Sequence, residues 1–238
     1  MSSCKSIALQ IIKCALSQER RVLDVYESLQ LVSCWGLRIC KIKLARSVNE
    51  AATLAEEIGY PVVLKVASPD ITHKFDVGAI ALNIRSASEV KAAFVRIVES
   101  VFKSNPSARV RGVVVQEMVT EGYEVIVGGY LDEQFGPVVM YGLGGLFVEL
   151  FKDVTFDIAP VTEEEALEMI SRTKSYKILR GFRGGFKADI NSLCSMIAKT
   201  SNIIWELRDY IKEIDLNPVF VLREGLGYKI ADARIILK

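Results

Sequence analysis

One histidine, one lysine at the end of an apolar strand and one run of acids carry the chemistry open to this sequence. His73 is the only histidine in 238 residues. It stands in the polar segment Ser68-Pro69-Asp70-Ile71-Thr72-His73-Lys74, which reads as a loop between two apolar strands. An imidazole nitrogen can take up and pass on a phosphoryl group, or act as a general base. A solvated loop histidine without a role has the same signature. A metal site built on His73 lacks a second histidine, and the cysteines are dispersed. Lys65 offers a fixed positive charge to an anion such as a nucleotide phosphate. An edge lysine with a solvated head group reads identically. Only Gly78 lies in the same loop, so the segment is no Walker loop.

The acids lie near the C-terminus, in Glu213-Ile214-Asp215-Leu216-Asn217-Pro218 and Ala231-Asp232-Ala233. Alternate residues of an extended chain share a side, so Asp215 and Asn217 point the same way. Asp232, on the following strand, can meet Asn217 across a hairpin. One carboxylate and one amide oxygen, completed by phosphate oxygens and water, suit Mg²⁺. A turn rich in Asp, Asn and Pro gives the same letters. Glu117, at the end of an apolar strand, and Glu124, on the next, could meet ribose hydroxyls, with the backbone at Met118–Val119 pairing to an adenine edge. They also fit a hairpin with two solvated acids.

The elements that must hold these groups follow from spacing. Apolar residues at 7, 11, 12, 15 and 16 predict a helix over residues 5–16. Ser17 caps a predicted second helix with Val22, Val25, Tyr26, Leu29 and Val32 on one face, ended by Gly36. Strands are expected at 39–45, 61–66 and 79–84. Ser47-x-x-Glu50 and Ser86-x-x-Glu89 are capping-box patterns opening helices that end near Gly59 and Asn105-Pro106. Further strands are expected at 110–118, 124–130, 138–141, 147–151 and 154–159. Gly142-Leu143-Gly144-Gly145 makes a turn, Thr162-x-x-Glu165 opens a short helix, and a helix covers about 189–200. Strands at 211–216, 219–222 and 228–237 close the chain. The pattern is mixed α+β with antiparallel sheets.

Composition narrows the class. Half the residues are hydrophobic, a quarter are charged and the net charge is +1. That composition supports a buried core, and the absence of a basic block argues against nucleic acid as partner. The longest uncharged run, Gln134 to Val148, is too short to span a bilayer and holds Pro137 and several glycines, so no membrane partner is expected. The N-terminal apolar segment is interrupted by Lys5 and Lys13, unlike a signal peptide. Five scattered cysteines without a CxxC pair read as reduced thiols of a cytoplasmic protein.

Four segments in this order carry a resemblance: GYPVVLKVASPDITHKFDVG, VVVQEMVTEGYEVIVGG, QFGPVVMYGLGGLFVELFKDVTFDIAP, and EIDLNPVF with ADARIIL. Together they resemble the β subunit of archaeal ADP-forming acetyl-CoA synthetases, relatives of succinyl-CoA synthetase, over essentially the whole chain. The resemblance implies an ATP-grasp fold of two lobes with mainly antiparallel sheets flanked by helices. The expected lobes are residues 1–116, with a phosphohistidine loop at 67–78, and residues 117–238. It implies the reversible reaction of acyl-CoA, ADP and phosphate to acid, ATP and CoA.

In that reading His73 is the phosphohistidine and Asp215 polarises its imidazole. Lys65 holds nucleotide phosphates, and Glu117, Val119 and Glu124 bind adenosine. Asn217 and Asp232 hold Mg²⁺, and Arg183 steadies the travelling phosphate. Ala67 and Val77 anchor the loop, which at roughly 3.3 Å per residue reaches on the order of 20 Å. Phe75 and Ala79 depart from the family's pattern. A CoA-binding α subunit is implied, in an α₂β₂ assembly, because no GxGxxG follows a strand in this chain. Two rival functions share the letters: a non-catalytic ATP-grasp regulatory module, and an ATP-grasp ligase that forms an acyl phosphate without a phosphoenzyme.

Overall fold

The computed structural model describes residues 2–71, 74–145 and 153–238. The chain forms two compact units. The larger comprises Met1–Leu23, Glu27–Ile39 and Val119–Lys238; the smaller comprises Asp24–Tyr26 and Cys40–Met118. The division near Met118 lies close to the expected one at 116/117. The grouping of the N-terminal helices with the first lobe needs correction, since most of residues 1–39 belong with the C-terminal half. The reason is strand pairing.

After α1 (Ser2–Ser17), Val22–Leu23 form the short strand β1, paired antiparallel with Ile235–Ile236 near the C-terminus. The helix α2 (Val25–Cys34) therefore starts seven residues later than a Ser17 cap predicts. Arg20 fixes this entry by donating to both carboxylate oxygens of Glu27, at 2.7 and 2.8 Å, in a buried pair. Strand pairing and a buried bidentate bond override the helical spacing of the apolar residues.

The smaller unit follows as β2 (Ile42–Ala45), α3 (Val48–Ile58), β3 (Val62–Ala67), β4 (Ile80–Ile84), α4 (Ala87–Ser104) and β5 (Gly112–Glu117). Its antiparallel sheet has the order β2-β5-β3-β4. Val62, Leu64 and Val66 of β3 and Val113 and Val115 of β5 pack with Ala51 and Ala55 of α3 and Val90, Phe94 and Ile97 of α4. Because side chains alternate, Val63, Lys65, Val114 and Gln116 belong to the opposite face. Ser47 and Ser86 cap their helices by accepting from the backbone of Glu50 and Glu89. The two glutamates do not complete the boxes. Each carboxylate reaches one residue further back, to the N–H of Arg46 and of Arg85.

The larger unit resumes with β6 (Tyr123–Asp132), β7 (Gly136–Leu143), β8 (Val154–Ile158), α5 (Glu163–Ser171), α6 (Ser175–Leu179), α7 (Ile190–Glu206), β9 (Ile211–Val221), β10 (Tyr228–Ile230) and β11 (Ala233–Leu237). The antiparallel sheet has the order β1-β11-β9-β6-β7-β8, with β10 also paired to β9. The α7 helix packs so close to β6 that a Cβ at Gly129 would lie 3.2 Å from Ile204 Cδ1. Thr162 and Glu165 form the one complete capping box among the described helices. The α6 helix has no periodic apolar signal; the Asp153 carboxylate accepts from the N–H groups of Lys174 and Ser175, both at 3.0 Å, and makes its first turn. The expected strand 147–151 lies outside the described residues. No described helix is long and apolar enough to cross a membrane.

Candidate functional site

The acids converge in the larger unit because of one irregularity in β9. Leu216 pairs with Val127 and Val219 with Val125, so Asn217 and Pro218 together face Ile126. This is a bulge, which re-aims side chains without ending the strand. On the other side of β9, the Asn217 N–H donates to the Asp232 carbonyl at 3.2 Å, and the Ala231 N–H donates to the Pro218 carbonyl at 3.0 Å. Asn217 and Asp232 are thereby neighbours across the strands. The Ala233 N–H donates to Asp232 Oδ1 at 2.9 Å and orients that carboxylate. Asp215 sits two residues before Asn217, flanked by Arg234 of β11 and Gly128 of β6.

Asn217 is exposed, and Asp215 and Asp232 are half-buried. The donor set near the bulge is therefore accessible, hard and oxygen-only. Among the described residues no group of three or more His, Cys, Asp or Glu side chains could hold a metal ion. One carboxylate and one amide oxygen, with remaining positions left to water and phosphate, fit Mg²⁺ rather than a metal that needs a full protein cage.

Glu124 lies in the same unit, at the start of β6, against the glycine turn. The Gly144 N–H donates to the Glu124 carbonyl at 2.8 Å. A Cβ at Gly144 would lie 2.8 Å from the Glu124 carbonyl carbon, and one at Gly145 would lie 3.2 Å from Glu124 Oε2. Glycine is required there by close approach to the glutamate itself.

In the smaller unit Lys65 is 4% exposed, within the central strand β3. A solvated edge lysine is excluded; an ammonium so placed needs anionic or polar company. Glu117 has a structural bond: its Oε1 accepts from the Lys41 N–H at 2.8 Å, while its own N–H donates to the Lys41 carbonyl. The Met118 N–H donates to the Pro61 carbonyl at 3.1 Å. The adenine-edge role expected of the Met118–Val119 backbone thus narrows, as far as N–H donors go, to Val119. Sequence reasoning passed over Gln116. It is 2% exposed, shares the Lys65 face, and its Oε1 has no hydrogen-bond partner. Its only signal was a single amide at the end of the run Gly112-Val113-Val114-Val115.

His73 lies outside the described residues. Both stems of its loop are described. The Asp70 carboxylate accepts from the backbone N–H of Arg109 at 2.8 Å and from its guanidinium at 3.1 and 2.6 Å. Ile71 is buried in the core of the smaller unit. On the other side the Ala79 N–H donates to the Lys74 carbonyl at 2.7 Å and the Gly78 N–H to that of Phe75 at 3.1 Å. Anchoring thus extends beyond Ala67, which is buried, to Asp70–Ile71, and beyond Val77, which packs on the same core, back to Lys74.

Arg183 sits in the larger unit with a positive φ of 51°, uncommon for a residue with a side chain. The segment after it is tied down at Phe186, whose ring stacks on Tyr123 and under the Arg223 guanidinium and whose carbonyl accepts from Tyr123 Oη at 3.0 Å. It is held again at Asp189, the N-cap of α7, whose carboxylate accepts from Ser192 N–H at 3.1 Å and Gly227 N–H at 2.8 Å. Burial pushes Asp189 up, but these backbone donors and Gly225 outweigh it and hold the acid below the usual carboxylate range.

Comparison with known proteins adds three findings. Residues 14–237 match the ATP-grasp domain. The chain is 48% identical to "Acetate–CoA ligase [ADP-forming] II subunit beta" of Pyrococcus furiosus, over 98% of this chain and 99% of that one. It is 44% identical to "Acetate–CoA ligase [ADP-forming] I" of Archaeoglobus fulgidus, over 97% of this chain but only 33% of that longer one. Among solved structures, the dinucleotide-forming acetyl-coenzyme A synthetase 1 of Ca. Korarchaeum cryptofilum matches with a TM-score of 0.88 and 41% identity. That match covers 97% of this chain and 100% of that one. That structure holds coenzyme A, acetyl-coenzyme A and a phosphorylated phosphohistidine segment. A second structure of it, with TM-score 0.84, 40% identity and coverage of 97% and 100%, holds coenzyme A and Mg-AMPPCP, with the segment pointing towards the nucleotide site.

Proposed function

This chain belongs to the ATP-grasp family, and we propose that it is the nucleotide-binding β subunit of an ADP-forming acetyl-CoA synthetase. Within that assembly it acts as an acid–thiol ligase subunit on the reversible reaction of acetyl-CoA, ADP and phosphate to acetate, ATP and CoA. The observation that carries the reading is the cross-strand grouping of Asp215, Asn217 and Asp232 at the β9 bulge, in a chain that matches such subunits from end to end.

His73 carries the phosphoryl group. Asp215 orients and polarises its imidazole, so that the N–P bond breaks as a terminal oxygen of ADP forms the new P–O bond. Lys65 neutralises nucleotide phosphates, and Glu117, Val119 and Glu124 line the adenosine. Asn217 and Asp232 hold Mg²⁺, which offsets repulsion between the anionic phosphates when bound. A large movement of His73 would require release of the Asp70–Arg109 clamp and of Ile71.

The partner is a CoA-binding α subunit, in an α₂β₂ assembly of the cytoplasm. The threefold longer relative that contains this fold in one-third of its length supports a second component. Mixing supplies the test. ATP should form from acetyl-CoA, ADP and phosphate when the chain is combined with a CoA-binding α subunit of this family. It should not form with either alone. Full turnover by this chain alone contradicts the reading.

A further inference from the structure

We infer that Arg234 binds the phosphoryl group in transit and that Glu213 keeps it available by holding it off Asp215. The inference rests on the phosphoryl-transfer reading above and adds two residues to it. Arg234 and Asp215 are directly paired across β11 and β9, so their side chains leave the sheet on one face as close neighbours. An arginine facing an aspartate ordinarily closes a two-bond fork on it. Here the guanidinium turns to Glu213 instead, two residues upstream on the same face, with Nη2 donating to Oε1 at 2.7 Å. The Arg234 Nε atom is buried and has no hydrogen-bond partner. A cationic N–H left without an acceptor inside a protein is costly, and the cost is removed when an anion arrives.

The surroundings select the anion. The other flank of Asp215 is Gly128, which adds no side chain to that face. Asp232, two residues before Arg234, stands beside Asn217 at the bulge. The donor therefore lies next to the groups that handle the phosphoryl group, and a tetrahedral oxyanion matches the guanidinium edge. Arg234 keeps its protons throughout: the N–P bond breaks, the P–O bond to ADP forms, and the guanidinium holds a non-bridging oxygen. Glu213 acts as a positioning residue. Without it, Arg234 falls onto Asp215 and occupies the carboxylate that the imidazole needs.

The test uses the chain assembled with its partner subunit, phosphorylated and then mixed with ADP in single-turnover quench experiments. Wild type, R234K, R234Q and E213Q are compared. R234Q and R234K should slow transfer on the order of 10²-fold, the effect of removing one preorganised donor to a developing charge, while ADP affinity stays within about twofold. Free guanidinium chloride, but not sodium chloride, should restore part of the rate of R234Q. E213Q should slow transfer too, and E213Q/R234Q should be no slower than R234Q. Transfer by R234K at the wild-type rate overturns the inference, and so does a folded R234Q that guanidinium does not rescue. If R234Q does not fold, R234K decides. Failure of wild type to carry label sinks the phosphoryl-transfer reading itself, an outcome distinct from label that moves equally well in every variant.

Discussion

The stems of the histidine loop and the acid row, on β9 and in the link before β11, are built in opposite ways. The Asp70–Arg109 clamp lies at the surface, with side chains 22% and 54% exposed, and its grip is reinforced by one isoleucine in the core. Exposed pairs of this kind contribute little and release easily. Asp215 and Asn217 instead stand on the paired strand β9, and Asp232 lies in the link between β10 and β11, where its carbonyl accepts from the Asn217 N–H. On the relay proposed above, the group that travels would be tethered by breakable contacts, and the groups proposed to receive it are held by strand pairing. Substitutions in the two regions should therefore differ in kind. Those in the acid row should cost chemistry at constant flexibility, and those in the stem should change access at constant chemistry.

The sharpest break of this contrast is D215N, which keeps the shape and removes the charge. Single-turnover transfer from phosphoenzyme to ADP should fall by roughly 10²–10⁴-fold, the range for a group that assists proton or charge transfer, with no change in melting temperature. D232N comes next. Its Mg²⁺ requirement, read from titrations of the transfer rate, should rise at least about tenfold, the scale of losses seen even for residues that only support a metal ligand. R109A should change the overall rate only a few-fold while leaving D215-dependent chemistry intact once the loop is loaded. Hydrogen exchange over residues 66–71 should become faster in R109A than in wild type, and a D215N-sized loss there would erase the distinction.

The smallest effect concerns a fixed element outside both regions. Asp189 has its acid held below the ordinary value of 3.8, so its contribution is present above that value and lost as pH falls through the depressed one. D189A should cost about 1 kcal/mol at neutral pH, as loss of a helix cap does. The gap between variant and wild-type unfolding curves should close as pH drops well below 4.

Much of this was legible in local patterns. The helix starts at Ser47, Ser86 and Thr162 follow from side-chain-to-backbone bonds three residues long, which a sequence displays directly. That Asn217 and Asp232 lie near each other was legible from hairpin spacing. The bulge that makes Asn217 and Asp232 neighbours was not, because register is set by strands far apart in the chain. Lys65 could be read as an edge lysine since alternation alone does not say whether a second face is covered. The Arg234–Glu213 bond, 21 residues apart, and the Asp153 cap on α6 are likewise tertiary and leave no periodic trace.

The most direct measurement is labelling by γ-³²P-ATP with Mg²⁺ of wild type, H73N and D215N, each with and without the α subunit. The relay predicts label on wild type that is acid-labile and alkali-stable, none on H73N, and strongly slowed labelling of D215N. Wild type that binds ATP yet takes no label in either setting, or label that survives in H73N, would contradict it.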